Sequence, residues 1–118
     1  MYNLFLDDMR DPRTAQFLRN QDFYRNTKWV VVKNYDEFVS YITHNGMPDL
    51  ISFDHDLGSG KTGYDVACYI ELQAERGVLP HMTWVVHSAN PVGAEKIRRA
   101  MESAERYWAL SKPCIIKG

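Results

Sequence analysis

The sequence has little cysteine, no long apolar run and almost no net charge, and each of these absences excludes a class of protein. Its two cysteines, Cys68 and Cys114, do not have metal-site spacing, which favours a reduced, cytoplasmic protein. No apolar run approaches the roughly 20 residues of a membrane span. Asp7 and Asp8 interrupt the first run, so no signal peptide is expected. The net charge of −1 argues against duplex nucleic acid as a partner, whereas a small nucleotide or an RNA end needs only local positive groups.

Length and patterning indicate one α/β domain over residues 1–118. With 45% hydrophobic and 25% charged residues, the chain has the composition of a globular domain. Five short apolar runs predict strands at Tyr2–Leu6, Trp29–Val32, Leu50–Phe53, Met82–Val86 and Tyr107–Leu110. Helices are predicted between the later strands, beginning after Asn34, Thr62 and Asn90. Residues 9–28 are predicted to be mostly loop, with one short helix around Ala15–Arg19. The alternation predicts a flavodoxin-like, doubly wound parallel sheet of five strands in the order 2-1-3-4-5.

Acidic and imidazole side chains recur where these predicted strands end. Asp7 and Asp8 follow the first strand, the run Asp54-His55-Asp56 follows the third, and His87 follows the fourth. The carboxyl ends of parallel strands share one edge, and ligands bind in the crevice there. The sequence therefore predicts a site at this edge.

The acids of this edge predict a cation site. Asp7, Asp8 and Asp54 offer the oxygen ligands that Mg²⁺, or Mn²⁺, prefers. Asp56 is either a further ligand or the residue that orients an imidazole. The alternative is that the acids are solvated loop residues.

The two histidines of the edge predict acid–base chemistry. His55 and His87 are expected to act as a proton-transferring couple. The alternative for each is a structural histidine with ordinary hydrogen bonds.

The remaining candidates are residues suited to contacting a phosphate. Each also has a structural alternative, as a surface charge, a helix cap or a turn residue. They are Arg10, Ser88, Asn90, Gly93 and Lys112.

The positions of Asp7-Asp8, Asp54, Ser88 and Lys112-Pro113 resemble the receiver domains of response regulators. The resemblance implies that the acids hold Mg²⁺, that Asp54 accepts a phosphoryl group, and that the hydroxyl and lysine contact it.

A narrower resemblance rests on four blocks of sequence. They are Leu4–Pro12, Ser52–Gly58, Thr62–Asp65 and His87–Gly93, and they resemble the cyclic-phosphate processing receiver family. This resemblance implies a phosphoesterase that uses its two histidines beside the receiver acids. His55-Asp56 departs from a signalling receiver, and the chain ends six residues after Lys112, so the fifth helix of a receiver is expected to be missing.

Three functions therefore follow as hypotheses. The first is hydrolysis of a cyclic phosphate, in a cyclic nucleotide or at an RNA 2′,3′-cyclic end. The second is a stand-alone receiver-like module phosphorylated on Asp54, and the third is a sponge that binds a cyclic nucleotide without turnover. Without a fifth helix, the sheet flank near Trp108 is expected to be covered by a second copy in a homodimer or by residues 14–28.

Overall fold

The computed structural model describes residues 2–14, 21–58, 60–78 and 81–111. It contains the parallel strands β1 (Asn3–Leu6), β2 (Trp29–Val32), β3 (Leu50–Phe53) and β4 (Thr83–Val86). They form one sheet in the order β2-β1-β3-β4. The predicted doubly wound α/β architecture and the order of the first four strands are confirmed.

Four helices connect and follow the strands. They are α1 (Gln21–Asn26), α2 (Tyr35–Asn45), α3 (Gly63–Glu75) and α4 (Pro91–Ser111).

The three longer helices begin where the capping signals predict. The side chain of Asn34 accepts a hydrogen bond from the backbone N–H of Glu37 at the start of α2. Asn90 accepts one from Gly93 at the start of α4.

The prediction of a fifth strand at Tyr107–Leu110 was wrong. These residues continue α4, in which Ala104 and Trp108 are buried one helical turn apart and Leu110 is exposed. A four-residue apolar run fits either a strand or one turn of a buried helix. Here the buried residues of α4 recur at helical spacing from Ile97 to Trp108, so the run continues the helix. No fifth strand occurs among the described residues.

The prediction of a loop over most of residues 9–28 was also wrong in part. Helix α1 occupies Gln21–Asn26 and buries Tyr24 against the sheet. The helix predicted around Ala15–Arg19 lies outside the described residues.

Helices cover the two faces of the sheet unequally. Helices α2, α3 and α4 pack on one face, in a core that includes Leu4 and Ile51 of the sheet. On the opposite face, Phe5 forms a small aromatic cluster with Tyr24 of α1 and Trp29. Trp108 is buried in the first core, and the homodimer expected from the sequence stays a prediction.

The register of the strands sets the position of the site. Leu6, Phe53 and Val86 are neighbours across β1, β3 and β4, so the next residue of each strand reaches the same edge. Backbone hydrogen bonds extend the ladder by one step, from Asp54 N to Leu6 O and from His87 N to Phe53 O. None of the described helices combines the length and apolar character of a bilayer-spanning segment.

Candidate functional site

Three side chains meet at the carboxyl edge of the sheet. Asp7, Asp54 and His87 each offer one potential ligand atom, and these atoms lie within 4.8 Å of one another. All three project on the face that α1 covers, because each lies two residues beyond Phe5, Ser52 or Val85 in its strand. The edge predicted from sequence is therefore a compact cluster.

Asp7 is a buried carboxylate surrounded by hydrogen-bond donors. Its Oδ1 accepts from the backbone N–H groups of Met9 and Arg10, each at 2.9 Å, and its Oδ2 lies 3.0 Å from His87 Nε2. Burial alone raises the pKa of Asp7, but the bond from His87 and the two backbone N–H donors together bring it below its ordinary value. Asp7 is therefore held as an anion.

The pKa of Asp54 is shifted in the opposite direction from that of Asp7. Burial, followed by the nearby charge of Asp7, raises its pKa above the ordinary value, and His87, Arg10 and the backbone N–H of His55 only partly offset this. Arg10 Nη1 lies 3.8 Å from Asp7 Oδ2 and 3.8 Å from Asp54 Oδ1. These distances are longer than hydrogen bonds, and the guanidinium offsets part of the negative charge of both acids.

His87 is buried with both ring nitrogens engaged. Its Nε2 contacts Asp7, and its Nδ1 lies 2.7 Å from Ser52 Oγ. The ring stacks on Phe5 with the two planes 6° apart and 4.4 Å between centroids. His87 therefore has no ring nitrogen available to a substrate in this arrangement.

His55 forms the second histidine–aspartate pair, nearer the surface. Its Nδ1 lies 2.9 Å from Asp56 Oδ1, which leaves Nε2 for other partners. Its ring rests on the backbone of Gly93 in the first turn of α4, where a Cβ would collide with it. The hydrogen bond from His55 is the main reason why the pKa of Asp56 is lowered.

The structure gives other predicted residues different surroundings. Asp8 is partly buried beside Gly58 and is not a member of the three-residue cluster. Ser88 Oγ accepts from the backbone N–H of Asn90, and Asn90 caps α4. These two residues thus build the turn beside His55 and His87. Lys112 lies outside the described residues.

The cluster fits a divalent cation by its donor set. Two carboxylates and one imidazole bring potential ligand atoms within 4.8 Å of one another. Both nitrogens of His87 are already hydrogen-bonded, so the carboxylates of Asp7 and Asp54 would hold the cation, which suits Mn²⁺ or Mg²⁺. Mg²⁺ prefers oxygen ligands, so it would use Asp7 and Asp54 and complete its shell with water and phosphate oxygens.

Sequence reasoning missed Ser52 and Tyr24. Ser52 Oγ lies 2.8 Å from the hydroxyl of Tyr24, and both residues are buried. Ser52 had a detectable signal, since it is a polar residue in an apolar strand, two positions before Asp54 and therefore on the same face. Tyr24 had none, because its contact joins residues 28 positions apart.

A parallel α/β sheet with acids at the ends of β1 and β3 defines a receiver-like domain. The family model described as "Cyclic-phosphate processing Receiver domain" matches residues 2–103. The chain belongs to this family. No curated protein matches it.

One solved structure with a similar fold is described as amino acids 181–211 of the yeast Spc42 trimeric coiled coil fused to another structure. It aligns with a TM-score of 0.54 and 22% identity, over 92% of this chain and 78% of that chain. This likeness concerns the fold alone.

Proposed function

We propose that the protein is a phosphoesterase that opens a cyclic phosphate, in a nucleotide or at an RNA end. The observation that carries the proposal is the His55–Asp56 pair, held against the first turn of α4 beside the Asp7–Asp54–His87 cluster. This arrangement places a proton carrier, an arginine and a helix N-terminus around one edge of the sheet.

His55 is the proton carrier nearest the substrate in this proposal. Asp56 holds Nδ1, so Nε2 takes the proton from water as the water oxygen attacks phosphorus. The P–O bond of the ring then breaks, and the leaving oxygen needs a proton.

Protonated His55 returns the proton that it took from water to the leaving oxygen, so the proton balance closes on one imidazole and the site is restored. Both nitrogens of His87 are engaged, so the His87–Asp7 pair takes no part in the transfer and holds the Asp7 carboxylate in place.

Two positive features favour an anionic substrate. Arg10 lies within ion-pair distance of both acids, so its guanidinium supplies positive charge where an anionic phosphate would bind. The N-terminus of the 21-residue helix α4 lies beside His55, and helix N-termini attract anions. A divalent cation held by Asp7 and Asp54 would add Lewis-acid stabilisation of the phosphoryl oxygens.

The test is to incubate the purified protein with 2′,3′- and 3′,5′-cyclic nucleotides, with and without Mg²⁺ or Mn²⁺. We expect a phosphomonoester product. His55→Ala should lower kcat by about 10²–10⁴-fold, the usual contribution of a positioned acid or base. His44→Ala is the matched control, since His44 is an exposed histidine near the end of α2 that bonds to Ser40 O. It should leave kcat unchanged.

Other outcomes would identify the other two functions. Acid-labile phosphate from acetyl phosphate that is lost in Asp54→Asn and kept in His55→Ala would identify a receiver-like phosphoacceptor. Tight binding of a nucleotide that is returned unchanged would identify a sponge. Either result, without turnover under any metal condition, would overturn the phosphoesterase proposal.

A further inference from the structure

A chain of buried hydroxyl groups lies behind the histidine of the cluster. Tyr24 OH lies 2.8 Å from Ser52 Oγ, which lies 2.7 Å from His87 Nδ1, and Nε2 of the same ring lies 3.0 Å from Asp7 Oδ2. Each distance is that of a hydrogen bond. The chain runs from α1, through the middle of β3, to the edge of the sheet.

The direction of these hydrogen bonds follows from the acceptor at one end. The other oxygen of Asp7 accepts from two backbone N–H groups, and an ionised carboxylate can only accept, so the Nε2–H of His87 donates to Oδ2. In the neutral ring Nδ1 is then an acceptor, and Ser52 must donate to it. The oxygen of Ser52 in turn accepts from the hydroxyl of Tyr24, so each side chain in this series of hydrogen bonds has a partner.

Packing fixes the far end of the chain as firmly as the near end. The ring of Tyr24 stacks on Trp29 at 5.5 Å and meets the edge of Phe5 at 5.7 Å. The indole N–H of Trp29 also donates to the carbonyl of Tyr24 at 3.0 Å. The Tyr24 hydroxyl is therefore held in one place, as a group that sets the orientation of another should be.

We propose that Ser52 and Tyr24 are positioning residues that hold His87 as the Nε2–H tautomer directed at Asp7. Helix α1 thereby contributes to the site without touching the substrate. The kinetic consequence rests on the proposed function, whereas the tautomer does not.

Nitrogen NMR of histidine-labelled protein tests the tautomer directly. At about pH 9, well above the ordinary imidazole pKa of about 6.5, His87 should show a protonated Nε2 and an unprotonated Nδ1. Ser52→Ala should move the Nδ1 resonance toward that of a nitrogen without a hydrogen bond, and Ser52→Thr should restore it. Tyr24→Phe should cause a smaller shift in the same direction, because the hydroxyl of Ser52 loses the group that polarises it.

Tyr69→Phe is the matched control for the tyrosine variant. Tyr69 is a half-buried tyrosine in the other core, against Phe38, and loss of its hydroxyl should leave the resonances of His87 unchanged. Proton on Nδ1 rather than Nε2, both nitrogens protonated at this pH, or an unmoved Nδ1 resonance in Ser52→Ala would each overturn the proposal.

Kinetics then tests the consequence for turnover. Ser52→Ala should lower kcat by about 10–100-fold with little change in KM, and Ser52→Thr should recover most of it. Unchanged kcat in Ser52→Ala would remove the role in catalysis. If the wild type turns over no cyclic phosphate, the proposed function fails, and the NMR result still decides the tautomer.

Discussion

Two histidine–aspartate pairs lie at the same sheet edge with nearly equal N···O distances and very different surroundings. His55 Nδ1 and Asp56 Oδ1 are 2.9 Å apart, with 15% and 68% of the side chains exposed. His87 Nε2 and Asp7 Oδ2 are 3.0 Å apart, with 2% and 1% exposed. Because the two N···O distances are nearly equal, any difference in function arises from burial and from what the second ring nitrogen of each histidine contacts.

This difference separates a group that reacts from a group that supports. An exposed ion pair contributes little to stability because water screens it. In the His55–Asp56 pair, the second ring nitrogen, Nε2, can contact a substrate. A buried pair is rigid, and loss of one member leaves an uncompensated charge. We therefore expect substitutions in the two pairs to change different measured quantities.

The largest expected effect is the loss of stability in His87→Ala. Asp7 would remain buried without its imidazole partner, which we expect to lower the free energy of unfolding by about 3–5 kcal/mol. His55→Ala should lower it by less than about 1 kcal/mol. Urea unfolding of the two variants under the same conditions measures both. Equal losses would mean that burial does not distinguish the pairs.

A smaller effect is expected from Gly93→Ala, which tests how the surface pair is positioned. A Cβ at this position collides with the ring of His55, so the ring must move away from α4. We expect overpacking to lower the free energy of unfolding by about 1–3 kcal/mol. Turnover should fall as well, although no atom that reacts has been removed.

The control for this prediction is Gly63→Ala. There the added Cβ meets the backbone carbonyl of Asp54, which has less freedom to move than a side chain. Gly63→Ala should therefore destabilise the fold more than Gly93→Ala. The reverse order would show that the His55 ring is as fixed as backbone.

Asp54→Asn should stabilise the protein at pH 7, by about 1 kcal/mol, within the usual range of stabilising substitutions. Folding raises the pKa of Asp54, so ionisation of this carboxyl opposes folding. The stability that the protonated carboxyl contributes is lost as the pH rises through the folded-state pKa. The gain should therefore shrink as pH falls through the same pKa. Thermal unfolding as a function of pH measures it.

The corresponding substitution of Asp7 should change stability in the opposite direction. The pKa of Asp7 is lowered on folding, so its contribution is present above the ordinary value of about 3.9 and is lost as pH falls through the folded pKa. Asp7→Asn should therefore destabilise at pH 7. Stabilisation by both variants would contradict the assignment of opposite pKa shifts.

The smallest expected change in stability is that of Asp56→Asn. Its side chain is mostly exposed, so the free energy of unfolding should change by less than about 0.5 kcal/mol. We expect kcat to fall about tenfold because His55 loses the acceptor that orients it. A large loss of stability with unchanged kcat would reverse the roles given to the two pairs.

The sequence predicted those features that depend on local patterns and on strand order. The bounds of β2 and β3, the cap at Asn34 and the meeting of Asp7 with Asp54 and His87 all follow from patterns within a few residues and from the geometry of a parallel sheet. The strand at Tyr107–Leu110 was predicted wrongly because a four-residue apolar run is too short to show whether its hydrophobic periodicity is that of a helix or of a strand.

The pairing of His87 with Ser52 and Tyr24 was not predictable by the same means. Those contacts join residues 35 and 28 positions apart, and they depend on how α1 packs on the sheet. The local sequence indicates that a histidine ends β4. Whether its nitrogens face a substrate or the protein is decided by tertiary packing.

The hydrogen bond between His87 and Asp7 also spans the full width of β3, because β1 and β4 lie on either side of that strand. It therefore joins two strands that do not pair with each other through their backbones. Local opening of β4 must therefore break a buried polar contact on β1, and we expect β1, β3 and β4 to exchange their amide hydrogens as one cooperative unit. Among the described residues, the outer strand β2 is joined to the cluster by a backbone hydrogen bond, from Asp7 N to Val32 O, and not by a side chain, so its amides should exchange from smaller openings.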